Sequence, residues 1–220
     1  MPPTKKAPSV WARQQAAPEQ PALSRDAIVR EAIVMLDAAG AEALSMRKLG
    51  AQLNAGATSL YRHVATKDEL IELAVDEVYG EITVPPAGKD WRAAATEAAW
   101  SYRATTLRHP WLGSVLGQVG MAHLGPNLGA FSNGLVGLFT AAGYPEPIGA
   151  LDTLLSYVMG MSTTEAAWLA TVARSGETEA GLVERLSGQP AGDLDPAKIR
   201  EDKFAYGLGV VLDGLATRLT

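Results

Sequence analysis

Residues 44–67 read LSMRKLGAQLNAGATSLYRHVATK. The run is legible as two short helices, 45–53 and 57–64, separated by Asn54-Ala55-Gly56. Asn and Gly tolerate left-handed backbone angles, which a sharp turn between helices requires. Ser45 is placed to cap the first helix by accepting a free backbone N–H. Met46, Leu49 and Leu53 keep a helical apolar spacing. In the second helix Leu60 and Val64 lie four apart and share one inward face. That leaves Thr58, Ser59, Tyr61, Arg62 and His63 free to hydrogen-bond outward. A helix anchored by two apolar residues and offering a polar, basic edge suits the major groove of DNA. The plain alternative is an αα corner with a solvated basic face. Thr66-Lys67-Asp68-Glu69 fits a capping box, Thr66 as cap and Glu69 reaching back, so a third helix starts there and fixes where Lys67 sits.

Upstream, Ser24 caps a helix over 24–39 that carries Ile28, Ala32 and Leu36 as its core stripe and ends at Gly40. Residues 1–22, rich in Pro, Ala and Gln, are expected to be a disordered tail. Its Lys5, Lys6 and Arg13 leave open whether it contacts DNA as an arm. Charge follows the same division. The chain of 220 residues carries a net −5, yet residues 1–67 hold 9 Lys+Arg against 5 Asp+Glu, a balance of +4. Residues 68–220 hold 10 against 19, a balance of −9. The positive end coincides with the groove-reading candidate, and an acidic second domain would be repelled by phosphate.

Arg47-Lys48-Leu49, Ser59-Leu60-Tyr61-Arg62-His63-Val64 and Lys67-Asp68-Glu69-Leu70 together resemble the DNA-binding domain of the TetR (tetracycline repressor) family over about residues 24–70. Several spacings match at once, which makes the resemblance specific. It implies a helix-turn-helix regulator, with repression the usual mode.

Beyond Thr66 the apolar face Leu70, Leu73, Ala74, Val78, Ile82 persists to about Thr83, where Val84-Pro85-Pro86 stops it. The resemblance implies that this helix, 66–83, links two domains. The rest reads as helices: 91–107 behind the cap Asp90, 111–116, 127–142, 148–174, a short one at 178–186, and a last one from Asp195-Pro196 to Leu219. Trp91, Tyr102-Arg103, His109-Pro110 and the ending Phe204–Leu215 resemble the tetracycline-repressor type of C-terminal domain. That implies a homodimer through helices 148–174 and 196–219. Gly207, Gly209 and Gly214 agree, since a glycine inside a helix costs about 1 kcal/mol against Ala unless something approaches closely. Packing within one subunit is the alternative for them. The expected fold is therefore all-α, with about nine to ten helices. A disordered tail (1–22) precedes a three-helix helix-turn-helix domain (23–67), and a larger ligand-binding and dimerisation domain (68–220) follows.

With no cysteine, disulfides and thiol chemistry are excluded. No apolar run reaches the roughly 18–20 residues of a membrane span, and the two N-terminal lysines precede no apolar h-region. A cytoplasmic, nucleoid-associated protein without membrane contact is expected. His63, His109 and His123 form no HxxxH or HExxH pair, so packed or capping roles are favoured over a metal site. No nucleophile elbow or phosphate loop is present. No cofactor and no enzymatic activity are expected.

A pocket for a hydrophobic or aromatic small molecule is expected instead, because bulky aromatics and methionines interleave with glycines in the second domain. The candidates are Trp100, Arg103, Trp111, Leu116, His123, Asn127, Phe131, Tyr157, Met161, Glu165 and Trp168. Ile82, Ala98 and Leu116 stand where tetracycline-binding members of the family carry polar drug and metal ligands, which argues against a magnesium–tetracycline effector. On DNA, Thr58, Ser59 and Arg62 are the base-reading candidates; Tyr61, His63 and Lys67 are assigned to phosphate, and Arg47 to either. Two other readings stay open: an all-helical small-molecule binder or enzyme with an incidental helix-turn-helix, and an interaction protein that pairs with another regulator.

Overall fold

A computed structural model describes residues 23–86, 88, 90–116, 125–189 and 195–219. The expected tail lies outside the described residues. Among them are ten α-helices, one 3₁₀ turn and no strand. The N-terminal unit comprises α1 (Arg25–Ala39), the 3₁₀ turn Ala41–Ala43, α2 (Met46–Gln52) and α3 (Ala57–Leu60). The linking helix is α4 (Lys67–Tyr79). The second domain is α5 (Trp91–Arg108), α6 (Leu112–Leu116), α7 (Pro126–Ala141), α8 (Pro147–Ser175), α9 (Glu179–Ser187) and α10 (Pro196–Ala216).

Helix starts follow from local chemistry. The hydroxyls of Ser24, Ser45 and Thr66 accept the backbone N–H three residues on, from Ala27, Lys48 and Glu69, at 3.1, 3.2 and 3.0 Å. Glu69 reaches back as a capping box requires, but its carboxylate accepts from Ala65, at 2.7 Å. Asp90 and Asp195 cap α5 and α10 through the N–H groups of Arg92 and Ala197.

Beyond α3, two expected helix ends shift by three or more residues. The linking helix stops at Tyr79 rather than Thr83, because bonds from Glu81 to Val78 and from Ile82 to Tyr79 tighten its end. The chain then leaves to let Thr83 N–H donate to Ser101 Oγ at 2.8 Å. The last helix stops at Ala216 rather than Leu219.

Helix α8 is the axis of the second domain, with α5, α7, α9 and α10 packed around it. Its inward stripe Leu151, Leu154, Val158 is buried with Tyr102 of α5, Phe139 of α7 and Phe204, Leu208 and Leu212 of α10. The three- and four-residue spacing of these apolar positions is what an amphipathic helix facing a core demands. At the other end, α4 belongs to both halves. Leu70, Ala74 and Val78 are fully buried, and the helix packs against α1 on one side and α7 on the other.

Among the glycines of α10, Gly207 is explained within one subunit. A Cβ there would lie 2.3 Å from the Tyr157 hydroxyl, whose O–H donates to the Phe204 carbonyl at 2.9 Å. Gly209 and Gly214 face open space.

Candidate nucleic-acid interface and ligand cleft

The turn between α2 and α3 is sharper than its residue types announce. Asn54 takes the left-handed conformation at φ 50°, whereas Gly56, at φ −70°, does not need its freedom. The glycine that matters is Gly50. A Cβ there would sit 2.6 Å from the Ala55 carbonyl oxygen, whose residue donates its N–H to Gly50 at 2.7 Å. Sequence reasoning passed over Gly50, since in the string it is one small residue inside a helix; its spacing to the turn was the available signal. The regular part of α3 ends at Leu60 rather than Val64. Its last turn tightens, with His63 N–H bonded to Leu60 at 2.9 Å and Val64 N–H to the same carbonyl at 3.0 Å.

Leu60 and Val64 are buried as their spacing demands, at 0% and 1% exposure. Around that anchor Arg47, Thr58, Tyr61 and Arg62 are exposed, and Ser59, His63 and Lys67 half-buried. Arg47 and Arg62 have no carboxylate partner among the described residues. Lys67 is partly engaged: its ammonium donates to the Ala41 carbonyl at 3.1 Å, tying the head of α4 to the 3₁₀ turn.

The two domains meet at a hydrogen-bonded junction. His109, immediately after α5, has Nδ1 2.7 Å from Asp37 of α1 and Nε2 3.3 Å from Glu81 beyond α4. The Trp111 indole N–H also donates to Asp37, at 2.7 Å, and Arg108 donates to Glu81 at 2.5 Å. Burial alone would raise the Glu81 carboxyl, but Arg108 and His109 outweigh it and hold it below its ordinary range. Trp111 was expected in the ligand pocket. It is instead buried at this junction, because the turn after α5 folds it back onto α1.

A cleft of about 490 Å3 lies where the end of α4 meets α7. Tyr79, Gly80, Ile82, Val84 and Pro85 line one side, Asn127, Phe131 and Gly134 the other. Tyr79 and Phe131 form its aromatic floor, edge-on at 5.5 Å between ring centres, with Tyr102 buried behind them at 6.1 and 6.0 Å. Burial pushes both phenols up in pKa, so they stay neutral hydrogen-bonding groups. Asp76 joins the walls. Its carboxylate accepts the Asn127 and Leu128 N–H groups at 3.0 and 2.9 Å, capping α7 from the linking helix. Gly125 makes room for it, since a Cβ there would meet Asp76 at 2.3 Å.

The remaining pocket candidates do not gather here. Met161, Glu165 and Trp168 line a separate groove of about 620 Å3 between α8, α9 and α10. Trp100, Arg103 and Tyr157 belong to the core behind that groove: Trp100 packs on Phe204 at 4.9 Å, and Arg103 lies over both rings while donating twice to Glu165. The candidates for the single pocket expected from the sequence are thus divided between two cavities, because Asn127 and Phe131 face α4 while Met161, Glu165 and Trp168 of α8 line the other. The Leu116 side chain and His123 lie outside the described residues.

Among the described residues no group of three His, Asp or Glu side chains is arranged to hold a metal, and no helix is long and apolar enough to cross a membrane.

Comparison with known proteins agrees with this layout. Residues 84–219 match the family model for the tetracyclin repressor-like C-terminal domain. An HTH-type transcriptional regulator of Saccharopolyspora erythraea is 37% identical over 164 residues, covering 73% of this chain and 69% of its own. The HTH-type transcriptional repressor DrrR1 of Streptomyces coeruleorubidus is 33% identical over 213 residues, covering 89% of this chain and 78% of its own. The crystal structure of the Streptomyces coelicolor TetR family protein ActR in complex with actinorhodin superposes with a TM-score of 0.71 at 28% identity, covering 90% of this chain and 98% of that one. The described helix-turn-helix, the helical domain behind it and these matches place the chain in the TetR family of transcriptional regulators.

Proposed function

We propose that the protein is a homodimeric, effector-released repressor that binds a pseudo-palindromic operator. The observation that carries this reading is the double duty of α4: its head supports the reading edge, and its last turn walls the cleft against α7. A ligand in that cleft displaces Tyr79 and the Asp76 tether, and the shift reaches α3 through α1 and the Asp37–His109–Glu81 junction. Such coupling requires the ligand to favour the DNA-incompetent arrangement, since equal affinity for both shifts nothing.

Thr58, Ser59 and Arg62 read base edges, and Tyr61, His63, Lys67 and Arg47 hold the backbone in register. Pairing through α8 and α10 is supported by the apolar residues they expose. Ile148 of α8 is 63% exposed, and Tyr206 and Val210 of α10 are 78% and 55% exposed. Gly160 of α8 and Gly209 and Gly214 of α10 are open to close approach by another helix. Two reading heads about 34–36 Å apart then enter successive major grooves. The aromatic floor of the cleft favours a hydrophobic, aromatic effector. The related ActR, solved with actinorhodin, supports a small-molecule effector, and the name of DrrR1 supports repression.

The test is selection of bound sequences from a random duplex pool at about 0.15 M salt. An enriched inverted repeat, released by aromatic ligands, is the expected result. Salt-sensitive binding with no enrichment sinks the proposal.

A further inference from the structure

The groove between α8, α9 and α10 has no part in the coupling just described, yet it is built like a site. Its floor is a chain of buried and half-buried charges. Glu165, 9% exposed, accepts from Arg103 Nε and Nη2 at 2.7 and 2.6 Å and from Arg200 Nε at 3.0 Å. Arg200 continues to Glu179, and Glu179 takes the Trp168 indole N–H at 2.6 Å. Burial works against the Arg200 charge, but Glu179 and Glu165 outweigh it and raise its pKa. These bonds hold Trp168, Arg200 and Glu165 in place before anything binds, and such preorganisation lowers the cost of binding.

Apolar groups surround the floor: Met161 and Trp168 from α8, Val183 from α9 and Ile199 from α10. At about 620 Å3 the groove falls within the roughly 300–1,000 Å3 of small-molecule sites. Its two lining acids are already engaged, one of them by Arg103 from the core behind. Arg103 and Arg200 are matched by Glu165 and Glu179, while Lys203 at the rim has no carboxylate partner among the described residues.

We infer that this groove is a second small-molecule site, separate from the linker-side cleft, and that it takes an aromatic monoanion. The ring packs against Met161, Trp168 and Ile199, and the anionic group meets Lys203, whose charge is the one left unbalanced. Such a ligand bridges α8 and α10 and stiffens their packing without touching α4.

The test uses the full chain and two fluorescent probes of similar shape: anilinonaphthalene sulfonate, an aromatic monoanion, and neutral phenylnaphthylamine. The anion binds once per chain with the higher affinity. Lys203→Gln weakens it about two- to fivefold, the range of an ion pair at an exposed lysine, and leaves the neutral probe unchanged. Ala180→Trp, which fills the groove from α9, removes the anion, whereas Gly137→Trp, which fills the linker-side cleft, does not. If Gly137→Trp removes the probe and Ala180→Trp spares it, the second site does not exist, though the effector cleft stands. Anion binding indifferent to Lys203→Gln overturns the proposal even if Ala180→Trp fails to fold. Probe affinity that falls as the protein is concentrated overturns it too, since a second copy then covers the groove.

Discussion

The N-terminal unit and the second domain are both all helix, but different interactions hold them. In the first, the decisive bonds are short in sequence: hydroxyl caps three residues from their donors, and a turn whose one close approach runs from Gly50 to Ala55. The side chains left over are exposed and offered outward. In the second, the decisive polar bonds span 62 residues for the buried Arg103–Glu165 pair and 35 for the partly buried Arg200–Glu165 pair. A unit that must present side chains to a groove keeps its own bonds local. A domain that must hold cavities between helices ties those helices across the core.

The sharpest way to break this contrast is Arg103→Ala. It strips Glu165 of its bidentate partner at 8–9% side-chain exposure and leaves Arg200 alone to neutralise it. Removing one member of a buried pair costs about 3–5 kcal/mol. Urea unfolding is expected to show a loss in that range, with the salt dependence of operator binding by the folded protein unchanged. A loss below about 1 kcal/mol would mean that apolar packing, not this pair, sets the helix arrangement.

The matching test in the N-terminal unit is Gly50→Ala. The new methyl meets backbone oxygen at 2.6 Å, which cannot swing away as a side-chain tip can. Overpacking of this kind costs about 1–3 kcal/mol. The expected result is operator binding lost or strongly weakened, with thermal unfolding of the second domain unmoved. Equal destabilisation of both would show that the two halves unfold as one unit.

The same contrast explains what could be read from the residues alone. Ser24, Ser45, Thr66, Asp90 and Asp195 each declare a helix start, because the cap and its donor lie two or three residues apart. Leu60 and Val64 declare their burial by spacing. The resemblance to the TetR family rested on this local grammar. What stayed hidden involves distance: Asp37 meeting His109 and Trp111 across 72 and 74 residues, and Asp76 capping a helix 51 residues away. Periodicity marks Met161, Glu165 and Trp168 as one stripe of α8, yet only the placement of α9 and α10 decides which cavity they line. The interleaving of aromatics and methionines with glycines in the second domain was therefore informative about cavities and silent about their number.

Asp76→Ala probes the helix both regions share. It leaves the Asn127 and Leu128 N–H groups without their acceptor, at a cost of about 1–2 kcal/mol for a lost helix cap. Amide hydrogen exchange is expected to quicken at the start of α7 while the protection of α1 and α2 holds. Faster exchange in α1 as well would show that the linking helix transmits disorder into the reading unit even without a ligand.

Lys67→Ala makes the smallest expected change and settles the one residue claimed by both kinds of bonding. Its ammonium already donates to the Ala41 carbonyl, and it is also a candidate phosphate contact. Loss of the internal bond alone costs about 0.5–1.5 kcal/mol and leaves the salt slope of operator binding where it was. Loss of a phosphate contact lowers that slope by about one, because one fewer counterion is released. An ammonium carries three donors, and one bond to Ala41 leaves two to face DNA. The expected result is therefore a shallower slope together with a small drop in stability. A drop in stability at constant slope would make Lys67 a strut that sets the angle between α4 and the 3₁₀ turn, and would leave Arg47, Tyr61 and His63 to hold the phosphates.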